Sequence, residues 1–223
     1  MTLSNPDTLS SKIQVSKTPI PNKLLPDTLV YDIGNKRYIN LTNSCTLKCA
    51  FCPKTKGSPE VHQYDLGIEE RHKADDYIKA IGDPTRFEEL VFCGFGEPTM
   101  RLKELLKIAK YIKQNHGRVR INTDGLANLV HKRNVLPEMA EVIDALSVSL
   151  NGQTEAVYNR HCLPGLKGSF QAVLDFLSLA PEYIPDTTAT AIDGLEGLDI
   201  KACEQLANER GVKFRRRVLD IVG

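Results

Sequence analysis

The sequence lacks an excess of either charge. Its 29 Lys and Arg residues face 28 Asp and Glu residues, which gives a formal net charge of +1. Such a balance provides no electrostatic footprint for duplex nucleic acid or for an anionic membrane surface. We therefore expect neither of them as a partner.

Long apolar runs are also missing. No stretch approaches the roughly 20 apolar residues that cross a bilayer. The N-terminal sequence MTLSNPDTLSS has neither the charged start nor the apolar run of a signal peptide. These absences predict a cytoplasmic protein. In that setting the six cysteines indicate a metal or catalytic site more than a disulfide framework.

Repeats and low-complexity tracts are absent as well, so the 223 residues suit one domain. Residues 1–30 are rich in Ser, Thr, Asn and Pro. This composition predicts a poorly ordered arm or a strap on the surface. Residues 31–223 are predicted to form the core domain.

Short β-type runs alternate with helical stretches along the core domain. The predicted strands are 37–42, 89–93, 118–122, 145–150, 187–192 and 213–219. The predicted helices are 67–80, 102–116, 169–180 and 199–210, and we expect the third of them to stop before Pro181. Strands separated by helices predict an α/β fold with a parallel sheet, either doubly wound or an incomplete (β/α)6 barrel. Both architectures hold their chemistry at the carboxyl ends of the strands.

Three cysteines follow the first of these strands. Cys45, Cys49 and Cys52 form a C-x3-C-x2-C pattern. Thiolates are soft ligands for Fe–S clusters, zinc and copper(I). Three of them can hold a [4Fe–4S] cluster while one iron stays open for another ligand. The alternative is a zinc site completed by His62 or another residue.

Glycines and polar side chains follow the next three strands. They are Gly94, Gly96 and Glu97 after the second, Asn122 and Asp124 after the third, and Ser149 and Asn151 after the fourth. Each group taken alone is typical of a turn or a helix cap. Their coincidence with the cysteines on one rim of the sheet indicates a ligand site.

The segments RYINLTNSCTLKCAFC, LVFCGFGEPTMRL, VRINTDGLANL and ALSVSLNGQTEAVYNRHCLP carry a resemblance. From about residue 38 onward the chain resembles the radical S-adenosylmethionine (SAM) superfamily, and more narrowly the TatD-family-associated radical SAM proteins. That narrower name records gene neighbourhood with a hydrolase family. The resemblance implies a partial (β/α)6 TIM-like barrel.

The resemblance also implies a cofactor site. The three cysteines would bind a [4Fe–4S] cluster, and SAM would chelate its open iron. By motif position, Gly96 and Glu97 would contact the SAM amino group, and Phe51 would lie near the adenine. The remaining cofactor residues are expected to be Gly94, Asn122, Asp124, Ser149 and Asn151, of which the asparagines and the serine would contact the ribose or the carboxylate. The usual motif is Gly-Gly-Glu-Pro, and Phe95 replaces its first glycine.

The chemistry implied by the resemblance is reductive cleavage of SAM to a 5′-deoxyadenosyl radical, which abstracts hydrogen from an unidentified substrate. An oxygen-sensitive enzyme, a flavodoxin or ferredoxin as electron donor, and a functional link to a TatD-family hydrolase are further implications. Three alternatives stay open. They are a glycyl-radical-activating enzyme acting on a protein partner, a small-molecule ring rearrangement like that of the deazapurine-forming enzymes, and a non-catalytic zinc or electron-transfer module.

Two residues outside these motifs are further candidates. Cys162 follows the fourth strand, and we consider it a candidate catalytic residue at the cavity mouth that donates a hydrogen atom or touches substrate. Its alternative role is that of a small buried side chain. Arg216 shares a strand face with Phe214 and Val218. If that face is inward, Arg216 would bind a substrate carboxylate or phosphate; otherwise it belongs to a solvated edge strand.

Overall fold

The computed structural model describes residues 27–219. Most of the predicted N-terminal arm, residues 1–26, lies outside the described residues, as do residues 220–223. The strands are β1 (Val30–Ile33), β2 (Lys36–Ile39), β3 (Glu60–Val61), β4 (Tyr64–Asp65), β5 (Glu89–Phe92), β6 (Val119–Thr123), β7 (Ala145–Ser149), β8 (Thr187–Asp193) and β9 (Lys213–Val218). The helices are α1 (Ala74–Ile81), α2 (Leu102–Gln114), α3 (Ala127–His131), α4 (Leu136–Ala140), α5 (Glu155–Cys162), α6 (Ser169–Tyr183) and α7 (Ile200–Asn208).

Seven strands form the main sheet, in the order β1-β2-β5-β6-β7-β8-β9. From β2 to β9 every neighbouring pair is parallel, and β1 is antiparallel to β2 through a tight hairpin at Gly34. Six parallel strands with connecting helices form the partial (β/α)6 barrel that the sequence predicts. All six predicted strands are confirmed to within a few residues. The small hairpin of β3 and β4 was not predicted.

The apolar core lies between the sheet and the helices that cover it. On α2 the buried side chains recur on one face, at Leu102, Leu105, Ile108, Ala109 and Ile112. Burying each leucine or isoleucine contributes roughly 1.5–3 kcal/mol. Along β6, Val119 and Ile121 are fully buried, whereas the alternate residues Arg120 and Asn122 face the barrel interior. The interior of the barrel is therefore polar, and this leaves room for a ligand site.

Two helix predictions are wrong at their ends. The helix predicted over 67–80 begins only at Ala74, because earlier backbone N–H groups have partners elsewhere. Asp27 accepts hydrogen bonds from the N–H groups of Glu69 and Glu70 at 3.0 Å. The predicted stop before Pro181 does not occur either, since α6 continues through it to Tyr183. A proline near the last turn removes one hydrogen bond donor, and the packing of α6 tolerates that loss.

In residues 27–219 no helix is both long and apolar enough to cross a membrane.

Asp27 also pairs with His72 at 2.8 Å, and the N–H of Asn40 donates to the carbonyl of Leu29 at 2.9 Å. Residues 27–29, at the end of the predicted arm, are therefore attached to the core domain.

Candidate cluster and cofactor site

The strand ends and the cysteine loop enclose a cavity of about 600 Å³. This volume lies in the range of small-molecule and cofactor sites. The three predicted cluster ligands and all eight predicted cofactor residues line it, namely Cys45, Cys49, Cys52, Phe51, Gly94, Gly96, Glu97, Asn122, Asp124, Ser149 and Asn151. The structure thus brings these separate sequence motifs together on one wall.

A segment that sequence reasoning missed supports the cysteine loop. The N–H of Lys48 donates to the carbonyl of Cys162 at 3.1 Å, and the N–H of Ala50 donates to that of His161 at 2.9 Å. The N–H of Gly165 donates back to Thr46 at 3.0 Å. The end of α5 therefore holds the loop by main-chain hydrogen bonds, for which no side-chain pattern exists in the sequence.

The cysteines do not converge on one point. Within residues 27–219 no three His, Cys, Asp or Glu side chains lie close enough together to hold a single metal ion. His62, the suggested fourth zinc ligand, is exposed in the turn between β3 and β4. A mononuclear zinc site needs its ligands on one tetrahedron, whereas the thiolates of a [4Fe–4S] cluster each bind a different iron. The donor set fits a cluster better than zinc.

All six cysteines are free thiols. A hydrogen bond with Cys162 and burial both raise the pKa of Cys49, and burial raises the pKa of Cys45 to about 12. Without a metal these groups are protonated at neutral pH. Cluster binding therefore releases protons, as it does wherever thiolates become ligands.

Glu97 and Asp124 form a buried carboxyl pair. Glu97 accepts hydrogen bonds from Thr99, from the hydroxyl of Thr123 at 2.8 Å and from the N–H of Asp124 at 2.8 Å. Burial and the proximity of the two groups raise the pKa of Glu97 to about 8, and burial raises the pKa of Asp124. In the described part of the chain no Lys, Arg or His lies within 4 Å of either carboxyl. The pair suits a ligand that carries an ammonium group.

Gly94 and Gly96 are required by protein packing. A Cβ at Gly96 would lie 2.4 Å from the carbonyl oxygen of Ser44 and 2.5 Å from that of Thr42. A Cβ at Gly94 would lie 2.2 Å from the side-chain oxygen of Asn40. Gly96 thus permits close approach of the β5 loop to the cysteine loop, and Gly94 permits close approach to Asn40 after β2. Both glycines also line the cavity, and their expected contact with SAM stays a prediction.

Two buried polar atoms lack a partner at the cavity wall and behind it. The side-chain oxygen of Asn151 is one, in a residue only 3% exposed that has a left-handed φ of 47°. The hydroxyl of Tyr158 is the other, and its electrostatic neighbours include Cys45, Cys49 and Cys162. An unpaired buried polar atom costs about 1–3 kcal/mol. The Asn151 oxygen lines the cavity and therefore fits a bound group that completes its hydrogen bonds. The Tyr158 hydroxyl lies behind the cavity wall, on α5, and does not line the cavity. Sequence reasoning named Asn151 and did not name Tyr158.

The two remaining candidates lie elsewhere than expected. Cys162 is fully buried behind Cys49 and does not line the cavity, so its expected position at the mouth is wrong. Its role as a hydrogen donor stays a prediction. The inward orientation considered for Arg216 is also wrong, because this side chain pairs with Asp193 while Arg215 and Arg217 line the cavity.

Comparison with known proteins agrees with this geometry. A probable dual-specificity RNA methyltransferase, RlmN of Trichodesmium erythraeum (strain IMS101), is 25% identical over 176 residues, which cover 74% of this chain and 48% of the relative. The chain thus spans about half the length of that relative.

Solved structures share the fold. Streptococcus suis SuiB bound to its precursor peptide SuiA superposes with a TM-score of 0.62 at 15% identity, over 86% of this chain and 40% of SuiB. TYW1 with a lysine–pyruvate adduct gives a TM-score of 0.58 at 14% identity, over 85% of this chain and 66% of TYW1. The protein anSMEcpe with bound AdoMet gives a TM-score of 0.58 at 14% identity, over 82% of this chain and 50% of the anSMEcpe chain.

The sequence matches the Radical SAM superfamily over residues 39–209. This range includes the three cysteines, the buried carboxyl pair and Asn151. The members of the superfamily are enzymes, and membership implies SAM and a [4Fe–4S] cluster as cofactors. The chain belongs to the radical SAM superfamily.

Proposed function

We propose that this protein reductively cleaves SAM at a [4Fe–4S] cluster and uses the resulting 5′-deoxyadenosyl radical to abstract hydrogen from a substrate not yet identified. One observation carries the proposal. The cysteine loop lines the same cavity as a buried carboxyl pair that has no Lys, Arg or His within 4 Å among residues 27–219. A metal-binding loop and acceptors for the SAM amino group are the two features that a cluster with chelated SAM requires.

The residues divide the binding between them. Cys45, Cys49 and Cys52 would hold the cluster, and Glu97 with Asp124 would accept hydrogen bonds from the SAM amino group. Further contacts to the ribose, the carboxylate and the adenine would come from the rest of the cavity wall, namely Phe51, Gly94, Gly96, Asn122, Ser149 and Asn151. The bound cluster would supply the electron that cleaves the sulfonium, and the protein would orient the reactants and exclude competing ones.

The finer assignments belong to the same proposal. Four sequence segments resemble the TatD-family-associated branch, and this resemblance suggests a functional link to a TatD-family hydrolase. A flavodoxin or ferredoxin would donate the electron. A cytoplasmic location belongs to the same proposal.

Anaerobic reconstitution tests the reaction. The protein is loaded with iron and sulfide, reduced with dithionite in the presence of SAM, and assayed for 5′-deoxyadenosine. We expect product from the wild type and none from a variant with Cys45, Cys49 and Cys52 all changed to Ala. The matched control is Cys203→Ala, since Cys203 is buried on α7 away from the cavity and its loss leaves the ligands intact.

Two outcomes would contradict the proposal. A protein with a verified [4Fe–4S] cluster that forms no 5′-deoxyadenosine is not a SAM-cleaving enzyme. Tight zinc binding without cluster formation would favour the non-catalytic module. If cleavage occurs, electron paramagnetic resonance of a candidate protein partner distinguishes the remaining alternatives, because a glycyl radical on the partner indicates an activating enzyme.

A further inference from the structure

The inner face of the barrel carries arginines at one end of the cavity. Arg120 on β6 and Arg215 and Arg217 on β9 line it. Arg215 donates to the hydroxyl of Ser147 on β7 at 3.1 Å, so its side chain extends past β8 toward β7 on the inner face. Burial and the nearby charges of Arg120 and Arg217 lower the pKa of Arg215, as expected for guanidinium groups that approach one another.

Among residues 27–219, the carboxylates near Arg120 and Arg215 do not balance the charges of these two side chains. Arg120 pairs with Glu89 at 2.8 Å, but the same Glu89 carboxylate also lies 3.5 Å from Lys36 and 3.5 Å from Arg118. The Glu89 carboxylate is thus shared by three cationic side chains. In residues 27–219 the Ser147 hydroxyl is the only hydrogen-bond partner of Arg215, and no carboxylate lies within 4 Å of its guanidinium.

The outer face of β9 is different. Arg216, between the two inward arginines, pairs with Asp193 on the neighbouring strand β8. Phe214, on the same outer face, packs against the apolar core. The strand therefore compensates its outward cation within the protein and leaves its inward cation Arg215 available. An edge strand that only needed charge for solubility would not show this asymmetry.

A guanidinium binds an oxyanion through a planar fork of donors, often by two parallel hydrogen bonds. Arg215 lies away from the Glu97–Asp124 pair, because neither carboxyl is among the charges that act on it. Arg120 lies between the two, since it also donates to the side-chain oxygen of Asn122. The carboxyl pair suits the amino end of SAM, and the guanidinium of Arg215 suits an oxyanion of another molecule.

We infer that the substrate carries a carboxylate or a phosphate group, and that Arg120 and Arg215 bind this oxyanion. The inference rests on the proposed function, since it assigns the part of the cavity that SAM leaves free. Such a contact fixes the substrate by a group remote from the hydrogen to be abstracted. It therefore determines which compounds are held long enough to react.

Isothermal titration calorimetry of the reconstituted protein with saturating SAM tests the inference. The probes are inorganic phosphate and malonate, each compared with chloride at equal ionic strength. We expect saturable binding of at least one probe. Arg215→Gln should weaken it about tenfold, the loss expected for a hydrogen bond to a charged group. The control is Arg216→Gln, which removes the same charge from the same strand and should leave the dissociation constant within about twofold.

The outcomes separate the possibilities. Binding of phosphate alone indicates a phosphorylated substrate, and binding of malonate alone indicates a carboxylate. The inference is overturned if neither anion binds beyond chloride, if both arginine variants lose affinity equally, or if Arg215→Gln weakens SAM binding by the same factor. The 5′-deoxyadenosine assay is run on the same preparation. Cleavage without anion binding removes only this inference, whereas anion binding without cleavage removes only the proposed reaction.

Discussion

Asn151 combines two features that are seldom found together. Its φ of 47° lies in the left-handed region, and its buried side-chain oxygen has no hydrogen-bond partner among residues 27–219. Glycine adopts this backbone conformation without strain. Asn151→Gly therefore removes the carboxamide and keeps the loop geometry.

We expect Asn151→Gly to weaken SAM binding about tenfold. The free energy of unfolding should stay within about 1 kcal/mol of the wild type, because the variant also removes an unpaired polar atom. Equilibrium binding of SAM and urea unfolding measure the two effects. His116→Gly is the control, since His116 has a similar φ of 62° beyond the end of α2, away from the cavity. Unchanged SAM affinity in Asn151→Gly would exclude a contact between this side chain and the cofactor.

Glu97 predicts a pH dependence of stability. Its pKa in the folded protein is raised from the ordinary value of 4.5 to about 8. The folded state therefore binds the proton more tightly than the unfolded chain. The stability from this group is complete below pH 4.5 and is lost as the pH rises toward 8.

In the cluster-free protein, the free energy of unfolding should fall by roughly 1–3 kcal/mol between pH 5 and pH 8. Glu97→Gln should flatten most of this fall, because an amide does not ionise. Urea unfolding at several pH values measures the slope. Glu204→Gln on the exposed face of α7 is the control and should leave the slope unchanged. An equal slope in the wild type and in Glu97→Gln would show that this carboxyl is not protonated in the folded state.

At the scale of elements, the cysteine loop depends on the loop that follows β5. Gly96 packs against the carbonyl groups of Thr42 and Ser44, and the N–H of Glu97 donates to Ser44 at 2.8 Å. A methyl group at Gly96 would have to displace main chain rather than a flexible side chain. The position of the cluster ligands therefore depends on the absence of one Cβ.

Gly96→Ala should lower the free energy of unfolding by roughly 1–3 kcal/mol and reduce the iron retained after reconstitution. Thermal unfolding and iron analysis on the same samples measure both quantities. Gly165→Ala is the matched control, because Gly165 also touches the cysteine loop but its Cβ would lie at an ordinary 3.4 Å from Thr46. Full iron retention in Gly96→Ala would show that the loop can move without losing the ligands.

Element boundaries show where sequence patterns lose their predictive power. The strand runs and α2 were predicted well, because alternation and i, i+3, i+4 spacing are local properties. The start of α1 was not predicted well. Asp27, which is distant in sequence, accepts hydrogen bonds from the N–H groups of residues 69 and 70. The continuation of α6 through Pro181 was not predicted for a related reason. Packing along the whole helix outweighs the loss of one hydrogen bond at the proline.

At the scale of the whole molecule, ion pairs join the amino ends of β6, β8 and β9. Asp186, just before β8, pairs with Arg118 at 2.7 Å and with Lys213 on β9 at 2.9 Å. Hydrogen bonding and charge from Lys213 lower the pKa of Asp186, with Arg118 contributing. This end of the barrel thus compensates its charges within the protein, unlike the interior at Arg215.

Asp186→Asn should lower the free energy of unfolding at pH 7 by roughly 0.5–1 kcal/mol, since these groups are partly exposed and screened by solvent. The lowered pKa means that the stabilisation is present above the ordinary Asp pKa near 4 and is lost as the pH falls through the folded value. Urea unfolding at pH 7 and pH 3 measures it. Wild type and variant should converge at the lower pH and also in 1 M salt. A difference that persists in acid would point to packing instead.

The sequence by itself determined the main strands, the helix α2, the parallel α/β class and the motifs at four strand ends that line the cavity. Each of these follows from local spacing or from the rule that parallel strands end at one rim. The choice of a barrel over a doubly wound sheet came from the family resemblance. The cysteine spacing and the motifs at the next three strand ends therefore located the cavity wall before any contact was known.

Only the tertiary structure decided which side chains of β9 face inward and what lies behind the cysteines. Alternation fixes that Arg215 and Arg217 share a face, but not whether that face is inside. In this barrel the apolar core lies outside the sheet and the polar cavity inside, so Phe214 directs Arg216 outward. The unpaired atoms of Asn151 and Tyr158, and the support of the loop by residues 161–165, likewise arise from contacts between distant segments, which no local pattern encodes.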